Sequence, residues 1–354
     1  MARGEFPVPR TSADINLMLP ALLIASVLAV PPEQAGPVIQ TPPWSCLFGA
    51  RPAVLSYRLV ASHAFRGVAA WSFAVEDRVL LRRETAVAVD AGRSGTLVVP
   101  LDLPAPRAGV VLSGRVAIAV DHGPEVVHRL WIFPDDPFDG RRAALEALHL
   151  TLFDPEQKTA AVFTRAQIPF HAVRNVAALA EPTDGLLVVG EGVSFDAWRS
   201  LARTLLDAAA RGQPVLCLAP ASGVLPLPGI GDRGLPQPSG FALRQADVIT
   251  TFDKRLDTVW PVSGNTIAAR IELTAGRSGI VGAVSAHDEA WPWLELTFPA
   301  RRGRLVLCGF AMIAHWDVAP TPRYLLAHLF GHLSGQTLVS CRDASPEPPS
   351  SRVR

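Results

Sequence analysis

The sequence predicts a β-sandwich followed by a three-layer α/β open sheet, mostly parallel with an antiparallel side. Three observations lead there. Between residues 53 and 136, short runs of alternating apolar and polar residues follow one another with no helical stretch between them. From 143 to 335 the pattern changes to apolar strands separated by amphipathic helices, the grammar of parallel pairing with right-handed crossovers. At 354 residues, with 49% hydrophobic and 18% charged residues, the chain has enough apolar material for two cores.

The elements run as follows. Leu17 to Val30 reads LMLPALLIASVLAV, an uninterrupted apolar stretch preceded by Arg3 and Arg10. It falls short of the roughly 20 residues of a membrane-spanning helix and has the length of a signal-peptide core, so 1–30 is expected to be a signal segment and the protein exported to the periplasm or cell surface. No second segment predicts a membrane span. Residues 31–52, rich in Pro, Gly and Gln, read as a linker. VLSYRLVA, GVAAWSFAVE, VLLRRETAVAV, GTLVVPLDLP, GVVLSGRVAIAVD and EVVHRLWIFP then give strands punctuated by DAGRSG, PAPRAG and DHGP. The clearest is 110–120, where Val110, Leu112, Val116, Ile118 and Val120 alternate with Ser113, Arg115, Ala117 and Ala119. Strands of this length and spacing predict an immunoglobulin-like sandwich over 53–136.

FPDDPFDGRR (133–142) marks the boundary. Beyond it, HLTLFDP (149–155), FHAV (170–173), GLLVVGEG (185–192) and PVLCLAP (214–220) predict strands, and QKTAAVFTRAQ predicts a helix. SFDAWRSLARTLLDAAARG (194–212) predicts the longest internal helix, capped by Ser194 or Asp196 and stopped by Gly212, with Leu201, Leu205, Ala208 and Trp198 on its buried face. Residues 220–240 read as a Pro/Gly-rich loop. Segments 278–284, 293–298 and 304–310 predict strands that make the far side of the sheet partly antiparallel. TPRYLLAHLFGHLSG (321–335) predicts a closing helix with Pro322 in its first turn. The tail 343–354 has the composition of a disordered segment.

With 33 basic against 32 acidic residues the net charge is +1, which gives no field to attract nucleic acid. The arginines are scattered along the chain and read as the coding bias of a GC-rich bacterial genome rather than as a functional surface. Four cysteines are too few and too dispersed for a disulfide scaffold. Cys217 and Cys308 lie inside apolar runs and are expected to be buried free thiols. A bridge between Cys46 and Cys341 is open in an oxidising compartment, though no spacing demands it.

The strand-rich module followed by DGLLVVGEG, a helix, GQPVLCLAP, and GRLVLCGFAMIAHW before a Leu-rich helix resembles the back part of bacterial family 2-type glycoside hydrolases. There an immunoglobulin-like module precedes a domain similar to class I glutamine amidotransferases, of flavodoxin-like architecture. The resemblance implies an ancillary, carbohydrate-associated role. The catalytic barrel of those enzymes, with its two glutamates, has no counterpart here. An amidotransferase places a nucleophilic Cys in a tight turn directly after a strand; the turn after PVLCLAP presents Ala219 and Pro220, with Cys217 two residues earlier. No His-Pro-Glu-like element follows downstream.

Ligands of open parallel sheets bind beyond the carboxyl ends of the strands. Those ends carry Asp154, Glu191 and His315 as candidate catalytic residues and Ser222, Trp316 and Asp317 as candidate ligand-binding residues. The bland reading is that Asp154 and Glu191 cap turns or helix N-termini. Gly229-Ile-Gly231-Asp-Arg-Gly234 is a literal G-x-G-x-x-G, but its proline-rich surroundings cannot open a helix under a pyrophosphate. His328 and His332 share a helix face without a third ligand nearby, and Trp291 with Trp293 reads as packing ahead of a sugar platform. No cofactor and no metal is expected. The sequence thus predicts an exported non-catalytic interaction or structural protein, with carbohydrate or a separately encoded enzyme as partner. The alternative is a hydrolase, glycosidase or amidohydrolase in type, working at the crevice of Asp154, Glu191 and His315.

Overall fold

Alternation along the chain sorts the strands into two facing sheets. The computed structural model describes residues 36–343 apart from 122, 182, 228–233, 263, 277–278, 288–289, 301–302 and 340–341. The predicted signal segment, the 229–233 part of the glycine motif, Cys341 and the tail beyond Asp343 lie outside the described residues. Strands β1 (Val38–Gln40), β3 (Pro52–Val60) and β6 (Ser94–Asp102) form an antiparallel three-stranded sheet. Strands β2 (Cys46–Phe48), β4 (Phe65–Val75), β5 (Arg78–Val89), β7 (Val110–Val120) and β8 (Val126–Phe133) form a second sheet in the order β2-β8-β7-β4-β5.

In β3 and β6 every second residue is buried, so Leu55, Tyr57 and Leu59 meet Leu97, Val99 and Leu101. Across the gap stand Trp71 and Phe73 of β4, Val116 and Ile118 of β7, and Leu130 and Ile132 of β8. Two sheets sharing one core in this way make a β-sandwich. Its one buried phenol is satisfied: Tyr57 Oη is 3.0 Å from His128 Nδ1, and His128 Nε2 lies 3.1 Å from the Trp44 carbonyl.

The rest of the chain builds a seven-stranded sheet. After α1 (Arg142–Glu146) come β9 (Thr151–Phe153), α2 (Lys158–Arg165), β10 (His171–Val173), β11 (Leu187–Val189), α3 (Leu201–Ala210) and β12 (Val215–Leu218). Then follow β13 (Gly223–Leu227), β14 (Gly240–Arg244), α4 (Val248–Phe252), β15 (Arg270–Ala275), β16 (Ile280–Ser285), β17 (Trp293–Thr297), β18 (Arg304–Cys308) and α5 (Pro320–Ser334). The order is β10-β9-β11-β12-β18-β17-β14, parallel through β18 and antiparallel at β17 and β14.

Period two separates the two faces of this sheet. Val188, Leu216, Leu218, Val306 and Cys308 point to the side of α2 and α5, while Leu187, Val189, Cys217, Leu305 and Leu307 point to the side of α3. The α5-side core also takes in Cys46, Val111 and Phe133, so the start of β7 and the end of β8 pack on the α/β region. A short β19 (Arg342–Asp343) returns to pair with β7 at Val110 and Val111.

Three sequence expectations need correction. The helix expected over 194–212 begins only at Leu201, because Ser194 and Ser222 form a bridge and the residues between run as turns. Leu201, Leu205 and Ala208 are fully buried as expected, and Trp198 turns edge-on to Phe153, 5.2 Å between ring centres. The strand near 278–284 does not join the large sheet. It is β16, which with β13 and β15 makes a separate three-stranded sheet, and β13 arises within the expected Pro/Gly loop. Among the described residues no helix is long and apolar enough to cross a membrane.

Candidate functional site

The carboxyl ends of β9, β11 and β18 lie at one edge of the sheet because the three strands are parallel, β9 beside β11 and β18 beyond β12. Each chain continues into a turn carrying one of the predicted residues. Asp154 follows β9 and is 8% exposed. Its Oδ2 accepts the Ala160 N–H at 2.8 Å and so caps the first turn of α2. The other oxygen, Oδ1, is buried with no hydrogen-bond partner among the described residues. It packs so closely on the backbone after β11 that a Cβ on Gly190 would lie 2.7 Å from it. Only glycine fits at 190.

Glu191, also 8% exposed, does something different from capping. Its Oε2 accepts the Ile313 N–H at 2.7 Å and its Oε1 the Ala314 N–H at 2.9 Å, tying the end of β11 to the loop after β18. Its own N–H donates to Thr159 Oγ1 at 2.9 Å, in the first turn of α2. Burial raises both carboxyls above their usual range. The N–H groups they accept, and the Lys158 ammonium nearby, oppose that shift without cancelling it.

The remaining predicted residues are engaged elsewhere. His315 Nδ1 accepts the Trp260 indole N–H at 2.9 Å, and burial lowers its basicity. Ser222 Oγ is 2.8 Å from Ser194 Oγ. Trp316 is 4% exposed and belongs to the core, which rules it out as an open aromatic wall. Asp317 is exposed and pairs with Arg165 at 3.0 Å and Arg323 at 2.6 Å. The structure therefore brings Asp154 and Glu191 to neighbouring strand ends and sets the loop of His315 against Glu191, with both Glu191 oxygens, Asp154 Oδ2, His315 Nδ1 and Ser222 Oγ each engaged by a protein partner and Asp154 Oδ1 buried without one among the described residues.

The turn after β12 is strained. Ala219 has φ 31°, in the left-handed region that L-residues other than Gly, Asn and Asp rarely enter. Its N–H donates to the Cys308 carbonyl at 2.7 Å and its carbonyl accepts the Gly192 N–H at 3.1 Å. Cys217 and Cys308 are buried free thiols; burial pushes Cys217 up and Cys308 to about 12, so neither is a thiolate near neutrality. Cys46 is likewise free and buried, its Sγ donating to the Arg255 carbonyl at 3.0 Å.

No grouping of three His, Cys, Asp or Glu able to hold a metal occurs among the described residues. His332 Nε2 sits 3.1 Å from Glu295 Oε1, and His328 stacks on Phe252 with ring centres 6.1 Å apart. Trp293 is 1% exposed and tilts against Phe252, so it cannot share a sugar platform with Trp291. Four arginines that look scattered in sequence, Arg51, Arg142, Arg165 and Arg323, converge beside Asp317. Their only local signal was the Asp/Arg-rich run 133–142, which sequence reasoning used solely as a boundary.

No protein-family model matches the chain, and no curated protein matches it. Among solved structures it is similar to a cycloisomaltooligosaccharide glucanotransferase from Paenibacillus sp., at 11% identity over 45% of this chain and 21% of that one, TM-score 0.25. It is also similar to a glycosyl hydrolase family 2 member from Bacteroides cellulosilyticus, at 10% identity over 54% of this chain and 25% of that one, TM-score 0.20. A third likeness is to a β-glucuronidase from glycoside hydrolase family 2, at 13% identity over 63% of this chain and 22% of that one, TM-score 0.21. The chain thus spans a quarter or less of each of these proteins. At such low TM-scores the likenesses carry no argument about what this chain does.

Proposed function

We propose that this chain is an exported, non-catalytic binding protein, carbohydrate-associated, built on an immunoglobulin-like sandwich and an amidotransferase-like α/β scaffold that lacks the chemistry of its type. The observation that carries this reading is Ala219. A backbone held at positive φ directly after a buried parallel strand is the setting in which such folds present a nucleophile, and here it presents a methyl group. The strand order β1-β3-β6 against β2-β8-β7-β4-β5, with β2 parallel to β8, is consistent with the immunoglobulin-like part. Export rests on the apolar run 17–30, and the carbohydrate class rests on the sequence resemblance.

One observation favours the hydrolase alternative. Asp154 and Glu191 stand on adjacent strand ends with their carboxyls shifted towards the protonated form, as a general acid requires. A single experiment separates the two. The purified protein is screened against polysaccharides for binding and for released reducing sugar, beside Glu191→Gln. Binding without release in both proteins is the expected result. Release that disappears in a folded Glu191→Gln protein would establish the hydrolase instead. Cell fractionation with N-terminal sequencing of the mature chain tests export, which an uncleaved protein confined to the cytoplasm would contradict.

A further inference from the structure

A cleft of about 330 Å³ opens where the β2–β3 turn, the connection 134–142, the end of α2 and the loop before α5 meet. We propose that this cleft binds an oxyanion group, carboxylate or phosphate, carried by a small ligand, with Arg51 and Arg165 as the receiving side chains. Four guanidinium groups face three carboxylates there (Asp135, Asp136 and Asp317), leaving one positive charge in excess.

The four arginines are not equivalent. Arg323 is a fixed post: 8% exposed, it donates from Nε to the Trp316 carbonyl at 2.7 Å, from Nη1 to the Asp135 carbonyl at 2.7 Å and from Nη2 to Asp317 Oδ1 at 2.6 Å. Its guanidinium also lies 4.5 Å from the centre of the Phe48 ring. Arg142 is similarly spent, on the Ala166 and Gln167 carbonyls and on Asp136.

Arg51 and Arg165 each reach one carboxylate through a single Nη2, Asp135 and Asp317 respectively. A guanidinium carries five N–H donors, so most of theirs remain for a ligand. The Arg165–Asp317 pair is more than half exposed on both sides. Exposed pairs of that kind are weak, so an incoming oxyanion that engages the planar fork bidentately can displace the aspartate. Arg51 is held in position by its own contact with Phe48, 4.4 Å from guanidinium carbon to ring centre.

The test titrates the full chain by calorimetry with inorganic phosphate, trigalacturonate and, as the neutral counterpart, maltotriose. Phosphate or trigalacturonate should bind at 20 mM salt and weaken at 200 mM. Arg165→Gln and Arg51→Gln should each weaken that binding by roughly tenfold, as expected for one lost charge-assisted contact. Asp317→Asn, which removes the competing carboxylate from Arg165, should strengthen it, whereas a cleft that is only an ion-pair clasp would gain nothing. Arg203→Gln, on the exposed face of α3, serves as the control that leaves binding unchanged. Three results would overturn the proposal: no heat from either anion at low salt, equal affinity in both arginine variants with their fold intact by circular dichroism, or maltotriose bound as tightly as trigalacturonate. A phosphate response alone is enough to support it, so its outcome is separate from that of the polysaccharide screen.

Discussion

Glu191 satisfies the N–H groups of Ile313 and Ala314, which lie in a loop and have no helix or strand partner of their own. Glu191→Ala leaves the buried Ile313 N–H unpaired and frees the Ala314 N–H at an exposed position, and should cost about 1–3 kcal/mol in urea unfolding. Glu191→Gln keeps one acceptor oxygen and should cost less than half of that. A carboxylate retained only for chemistry would show the reverse, with activity lost and stability kept. Asp154 leads to a prediction about pH. Burial raises its carboxyl above the usual 3.8, so the folded state holds the proton more tightly than the unfolded state does. The stability tied to that proton is fully present below 3.8 and is lost as pH rises through the raised value. Asp154→Asn should therefore exceed the wild type in unfolding midpoint at pH 7, with the gap closing as the pH falls towards 3.8.

Among the elements, α5 carries the most packing. Phe330 is fully buried and faces Phe138 of the connection at 6.3 Å and Phe163 of α2 at 6.1 Å, so one ring joins three segments. Phe330→Ala should cost about 3–5 kcal/mol, read from the urea midpoint. The helix ends where Gly335 takes φ 72°, a left-handed closure that the sequence announces by placing glycine there. Local signals of this sort made much of the fold legible. Alternation in β3, β6 and β7 and the apolar runs at β11, β12 and β18 each depend on which face a residue turns to the core, and sequence records that directly. The false start at 194–200 has the opposite cause. Its residues have acceptable helix propensity, and what holds them out of a helix is the Ser194–Ser222 bridge to a segment 28 positions away. The convergence of Arg51, Arg142, Arg165 and Arg323 was hidden for the same reason, since no local pattern records which distant side chains meet. The strand-end carboxylates were found by the topology rule, but their partners at 313–314 were not.

At the scale of the whole molecule, Asp257 links sequence-distant parts. Its carboxylate accepts the N–H groups of Ser45 at 2.9 Å and Cys46 at 2.7 Å and the Ser45 hydroxyl at 2.8 Å, more than 200 residues apart in sequence. Asp257→Ala should cost about 2–4 kcal/mol. Scanning calorimetry should show one thermal transition in the wild type and two in the variant, as the sandwich loosens from the α/β region. Titration acts across the molecule as well. Burial lowers His128, His315 and His328 below the usual 6.5, so the stability they contribute is present above 6.5 and is lost as pH falls from there through the lowered values. Asp253 and Glu295 act in the same sense at lower pH: burial opposes their charge, but Arg255 and His332 respectively outweigh it and hold both carboxyls down. The histidine contribution to the urea midpoint should therefore fall from pH 7 to pH 5, against the opposite trend of Asp154 and Glu191, and His328→Phe, which keeps a ring against Phe252, should reduce that fall.

The buried sulfurs have one more consequence. Cys46, Cys217 and Cys308 sit in β2, β12 and β18, shut away from solvent and with their thiols raised by burial. A disulfide-exchange dye has nothing to react with at these positions while the strands stay closed, and reacts with each one only when its own strand opens. Among the described residues the protein therefore carries three built-in clocks. Mass spectrometry of dye adducts over time would read out, without any engineered probe, whether the sandwich or the α/β sheet comes apart first.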